Sequence, residues 1–128
     1  MSAGAFKPLR HPRVWAGLWW LAVLAVVVVC LMPPPPLALP QNSDKVEHFL
    51  AYFVLAASAV QLYRAGRPLL WAGWGLVLLG IAIEFAQGAL TATRTADAID
   101  ALADTIGVLA GLATALTPWR DLLLRWRG

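Results

Sequence analysis

Charge is scarce in this chain of 128 residues: Asp, Glu, Lys and Arg make up 13% of it, and 60% is hydrophobic. Soluble domains carry roughly 25% charged residues, so a sequence this apolar, with mean hydropathy +0.69, belongs in a bilayer. Cysteine is scarcer still. Cys30 stands alone, which excludes an intramolecular disulfide and a cysteine-based zinc site. It lies within an apolar run, where it reads as a small buried hydrophobe. Val29 before it lacks the small side chain that a lipoprotein signal needs. Polar and apolar residues do not alternate in the long runs, so the spans are helices rather than barrel strands.

The apolar runs divide the chain. Residues 14–32 form a first span, read as a retained helix because it lacks a small-x-small cleavage site. Four consecutive prolines, Pro33 to Pro36, stop it. A second span, 44–63, opens with Ser43 as an N-cap and with Asp44 and Glu47 in its first turn, where carboxylates suit the helix dipole. The turn Arg64-Ala-Gly-Arg-Pro68 leads to a third span, 69–90, and the polar stretch from Thr91 to Ala96 to a fourth, 97–116. The fourth carries a ladder of small residues, Ala103, Gly107, Gly111 and Ala115, that lets another helix approach closely. The expected fold is therefore all-α, a four-transmembrane-helix bundle. Residues 1–13 form a tail before this domain of residues 14–117, and residues 118–128 form a basic amphipathic tail on the membrane surface after it.

Orientation follows from the cations. Lys7, Arg10, Arg13, Arg64, Arg67, Arg120, Arg125 and Arg127, eight of the ten Lys and Arg residues, fall on one side if both termini share it. Only Lys45 and Arg94 fall on the other, so both termini are expected in the cytoplasm. Trp15, Trp19, Trp20, Trp71, Trp74, Trp119 and Trp126 lie near the same helix ends, where indole suits the interface. With its charges so placed, the net charge of +3 is a topology signal and implies no nucleic-acid partner. The acids are distributed the other way: of seven, only Asp121 is on the basic side.

The remaining acids and their neighbours form three stripes. Asp44, His48 and Tyr52 recur every four residues, Glu84 and Gln87 share a helical face, and Asp97, Asp100 and Asp104 are spaced three and four apart. An ionisable group in hydrocarbon costs roughly 2.5 to 3.5 kcal/mol on insertion scales, so these stripes should face each other or water. His48, Glu84 and Asp100 are the candidate catalytic acids and bases. Asp44, Lys45, Tyr52, Gln87, Arg94, Asp97 and Asp104 are candidate ligand-binding residues. Each also has a plainer role: helix-start charges for Asp44, Lys45 and Glu47, an interface anchor for Tyr52, interhelical hydrogen bonds for His48, Glu84 and Gln87.

In its motifs, the chain resembles the VanZ-like family of bacterial membrane proteins. The resemblance rests on DKVEHFLAY (Asp44, Lys45, His48, Tyr52), EFAQ (Glu84, Gln87) and RTADAIDALADTIG (Arg94, Asp97, Asp100, Gly107), and covers about residues 44–111. One position departs from it, since Asp104 stands where the family usually has asparagine. The resemblance implies a four-helix protein of the bacterial inner membrane and cell envelope, in a family named after a member linked to low-level resistance to the glycopeptide teicoplanin. It implies no defined reaction.

Four functions compete. The first is an enzyme or binding protein for an envelope lipid or lipid-linked precursor at the outer leaflet, with His48 or Glu84 moving protons and Lys45 and Arg94 holding a phosphate. No nucleophile motif accompanies it, so the sequence leaves open whether a reaction occurs. The second is a divalent-cation site, for which Asp97, Asp100, Asp104, Glu84 and His48 supply oxygen and nitrogen donors. The third is a non-catalytic scaffold or accessory subunit whose polar groups fix helix register. The fourth is a proton-coupled transporter, for which four short helices leave little room.

Overall fold

The structure, a computed structural model, describes residues 3–31, 43–90 and 98–127. All regular structure among them is helical. After a single 3-10 turn at Ala3–Ala5 come α1 (Pro12–Leu31), α2 (Ser43–Leu62), α3 (Arg67–Leu90) and α4 (Ala98–Ala113); 3-10 turns at Thr114–Leu116 and Pro118–Asp121 lead to the short α5 (Leu122–Arg127). Three stretches are long and apolar enough to cross a bilayer: Pro12–Leu31, Arg67–Ala89 and Ile99–Leu116. The apolar stretch of α2, Val46–Leu62, is shorter.

Pairings between helices give their directions. Trp19 on α1 meets Leu55 on α2, Gln87 on α3 meets Cys30 on α1, and His48 on α2 meets Asp104 on α4. Hence α1 and α3 run one way, α2 and α4 the other. The closest approach is between α2 and α4, and the small-residue ladder is its cause. A Cβ added to Gly107 would stand 2.5 Å from the Phe49 carbonyl oxygen, and one at Gly111 would stand 2.6 Å from the Ala56 Cβ. Only hydrogen at those two positions admits the α2 backbone.

Helix α2 is the interior helix, which accounts for its lower apolarity. Tyr52, Leu55, Ala56, Ala59, Val60 and Leu62 are all buried, and Val46, Leu50 and Val54, four residues apart, form its narrow outward stripe. The other helices expose broad apolar faces, including Leu18, Leu21 and Leu24 on α1, Leu70, Trp71, Trp74 and Leu78 on α3, and Leu102, Ile106 and Leu109 on α4. A contiguous apolar surface of this extent is what hydrocarbon covers.

Element ends differ slightly from the sequence expectation. Pro68 sits in the first turn of α3 rather than before it, a position where its missing N–H leaves no bond unmade. The preceding Gly66 has φ +99°, and its carbonyl accepts from the Leu70 N–H at 3.0 Å. Ser43, expected as an N-cap, is the first residue of α2. The fourth helix is α-helical only to Ala113. There the Thr114 hydroxyl donates to the Gly111 carbonyl at 2.7 Å, and the Thr117 hydroxyl to the Thr114 carbonyl at 2.6 Å, in a last turn tightened to 3-10.

The two chain ends meet where α2 finishes. Lys7 N–H donates to the Leu62 carbonyl (3.0 Å) and Arg64 N–H to the Ala5 carbonyl (2.8 Å), so the N-terminal segment takes up an orphan carbonyl of the helix end. Phe6 stacks on Tyr63, and Tyr63 meets the edge of Trp19. The C-terminal tail is fastened by Gln61, whose amide nitrogen donates to the Trp119 carbonyl (2.8 Å) and whose oxygen accepts from the Leu123 N–H (2.9 Å). Lys7 completes the junction through Asp121 at 2.9 Å and the Arg120 carbonyl. The tail is thus held against α2 as well as being amphipathic.

Candidate functional site

Toward the other end, three helices each bring one ionisable side chain to a common point. His48 lies between one and two turns into α2, and Asp104 two turns into α4; the close approach at Gly107 sets both at one level. His48 Nδ1 and Asp104 Oδ1 are 3.0 Å apart, with both residues buried. Glu84 joins them from α3: one donor atom from each of His48, Glu84 and Asp104 can be chosen such that all lie within 4.8 Å of one another. Gly80, one turn before Glu84 on the same face, makes the room. A Cβ at that position would stand 2.9 Å from Asp104 Oδ2 and 3.1 Å from its Cβ.

Tyr52 stands one turn below His48 and has no solvent exposure at all. It is therefore not the interface anchor that its residue type suggests. Its hydroxyl has no hydrogen-bond partner among the described residues, and neither has Asp104 Oδ2. The phenol is close enough to Asp104 and Glu84 for their charges to act on it, and Asp100 and Glu84 act likewise on the His48 ring. Burial of several polar groups in a chain so apolar is costly unless they satisfy one another or a ligand.

The other sequence candidates divide. Asp100 is buried on α4, one turn before Asp104, outside the trio itself. Gln87 donates its amide nitrogen to the Cys30 carbonyl at 2.7 Å. The bond fastens α3 to α1. Asp44 and Lys45 fall in the first turn of α2, with their side chains outside the described set, and Arg94 and Asp97 lie outside the described residues. Of the five donors expected for a cation, His48, Glu84 and Asp104 are brought together.

Three structurally decisive residues escape the stripe argument. Gly80 shares the face of Glu84 and Gln87 at spacings of four and seven, a signal readable once that face is known to be interior. Gln61 is a polar residue in an apolar run, and its bonding to the C-terminal tail needed the tertiary fold. Trp19, expected at the interface with the other tryptophans, is buried. Its indole N–H donates to the Leu55 carbonyl at 3.0 Å. The chain matches no protein-family model, no curated protein and no solved structure.

Proposed function

We propose that this is a four-span, VanZ-like integral protein of the bacterial inner membrane, with both termini cytoplasmic. In this reading the His48, Glu84 and Asp104 cluster handles an envelope lipid or lipid-linked precursor at the outer leaflet and so alters susceptibility to teicoplanin. The observation that carries the proposal is the convergence of three buried ionisable side chains from three helices. Intramembrane ionisable groups cost free energy and mark functional sites by default. The orientation draws support from the cations at the junction end, where Lys7, Arg64 and Arg120 lie at the meeting of the two tails.

A second reading, a scaffold whose polar groups are interhelical glue, draws on the Gln87 bond to Cys30 and on the His48–Asp104 pair itself. Cells carrying wild type, His48→Gln, Glu84→Gln or Asp100→Asn, with membrane levels quantified, separate the two. Variants present at wild-type level that no longer change teicoplanin susceptibility support a working site. Susceptibility that follows abundance alone supports the scaffold. A reporter fused after Gln41 that reads cytoplasmic would overturn the topology.

A further inference from the structure

We propose that His48 Nδ1, a Glu84 oxygen and an Asp104 oxygen bind a divalent first-row transition ion, of the zinc or manganese type, with the Tyr52 hydroxyl as a fourth or outer ligand. The inference rests on the reading of the cluster as a working site and gives that site its cofactor. Two ligands on an ion with bonds of about 2.1 Å are about 3.4 Å apart at the tetrahedral angle, and in an octahedron about 3.0 Å apart at a right angle and about 4.2 Å when opposite. The His48 to Asp104 separation of 3.0 Å lies within this range, and the trio, all within 4.8 Å of one another, lies close to it. Small side-chain rotations close the set.

Two further observations point the same way. The Tyr52 hydroxyl and Asp104 Oδ2 are buried without hydrogen-bond partners among the described residues, although their residues are 0% and 1% exposed. Such orphan atoms beside a cluster are what an absent ligand leaves. The charge also balances: a neutral imidazole and two carboxylates carry two negative charges, which a divalent ion cancels. Imidazole nitrogen among oxygen donors favours a transition ion over magnesium or calcium. Once the ion takes Nδ1, the neutral ring holds its single proton on Nε2, so the proton between Nδ1 and Oδ1 is given up, to Nε2 from a neutral ring and to solvent from an imidazolium. The placement of the Asp104 carboxylate depends on Gly80, where a Cβ would collide with it.

The test uses the full chain purified in detergent, stripped with a chelator and titrated with Zn²⁺ by calorimetry and with Co²⁺ by its visible absorption. The expected result is one ion per chain, with affinity reduced on the order of 100-fold or more in His48→Gln and Glu84→Gln, and by about 10-fold or more in Tyr52→Phe. Gly80→Ala keeps every donor but displaces the Asp104 carboxylate, so it too should bind weakly. His11→Gln, which alters the exposed histidine in the N-terminal tail, should bind as wild type. Circular dichroism and size exclusion identify the variants that remain folded. Wild type that binds no ion overturns the proposal, as does uptake that folded His48→Gln and Glu84→Gln leave unchanged. Cells distinguish the two readings. Loss of the teicoplanin effect in folded variants of a protein that binds no metal sinks the ion and keeps the working site, whereas an ion bound in vitro with an unchanged phenotype keeps the ion and sinks the site's proposed role.

Discussion

The two ends of the helix assembly solve opposite problems. At the His48 end, ionisable groups are few, buried and aimed at one another across α2, α3 and α4. At the Lys7 end, charges are many and largely exposed, and backbone pairs, Gln61 and stacked aromatics hold the two tails to α2. A single lost partner is therefore costly at the first end and nearly neutral at the second, because the cost of an unpaired charge is set by its access to water. Architecture at the junction end is redundant. At the cluster end each atom counts.

The largest effect should come from His48→Leu, which leaves Asp104 without its partner. Loss of one member of a buried pair costs about 3 to 5 kcal/mol, seen as reduced resistance to unfolding by SDS or heat in detergent. The double variant His48→Leu with Asp104→Leu should recover much of that loss, since it removes both members of the pair together. A double variant as unstable as the sum of its singles would break the account of the cluster as a coupled pair. Next comes Gly107→Ala, where the added Cβ meets the Phe49 carbonyl and α2 must move from α4. Overpacking costs about 1 to 3 kcal/mol, and because the same contact sets His48 level with Asp104, metal affinity should fall with stability. Gly75→Ala, with open space around its Cβ, is the matched control and should change neither.

How much of this contrast is legible in the sequence depends on whether period or partner decides it. The stripes at His48 and Tyr52, at Glu84 and Gln87, and at Asp100 and Asp104 follow from helical spacing alone, and each of these side chains is buried. The role of the small ladder also follows, because glycines four apart in an apolar helix have few other uses. What spacing does not supply is which neighbour each face meets. Trp19 is one of seven tryptophans near helix ends, and only the approach of Leu55 distinguishes it from an interface anchor. Gln87 belongs to the same stripe as Glu84, yet bonds the end of α1 one register further along. Trp19→Phe tests this point at intermediate magnitude. It keeps an aromatic ring and loses one interhelical bond, which in membrane proteins amounts to about 0.6 to 1.7 kcal/mol. A change as large as that of His48→Leu would mean that the junction end is less redundant than its several fastenings imply.

The smallest effect should be that of Asp121→Asn. The Lys7 ammonium beside it holds the Asp121 carboxyl below its usual 3.8, and the folded chain therefore gains stability from the ionised form. For a carboxyl with a lowered folded pKa, that gain is whole above the unfolded value near 4 and disappears as pH falls through the folded value. Between about pH 7 and pH 5 the wild type should thus show no pH dependence from this pair, and its advantage over Asp121→Asn should shrink only below about pH 4. Its size is limited by exposure. The Lys7 side chain is 12% exposed but that of Asp121 is 39% exposed, so water reaches the carboxylate, and pairs open to solvent contribute about 0.2 to 1 kcal/mol, less in high salt. Melting in detergent across this pH range, at low and high salt, reads both features. A loss above 1 kcal/mol that salt does not reduce would show Lys7 and Asp121 to be shielded from water, and the two ends would then differ in composition but not in kind. The other bonds of the junction argue against that outcome, since Gln61 and the Lys7 backbone hold the tails without any charge.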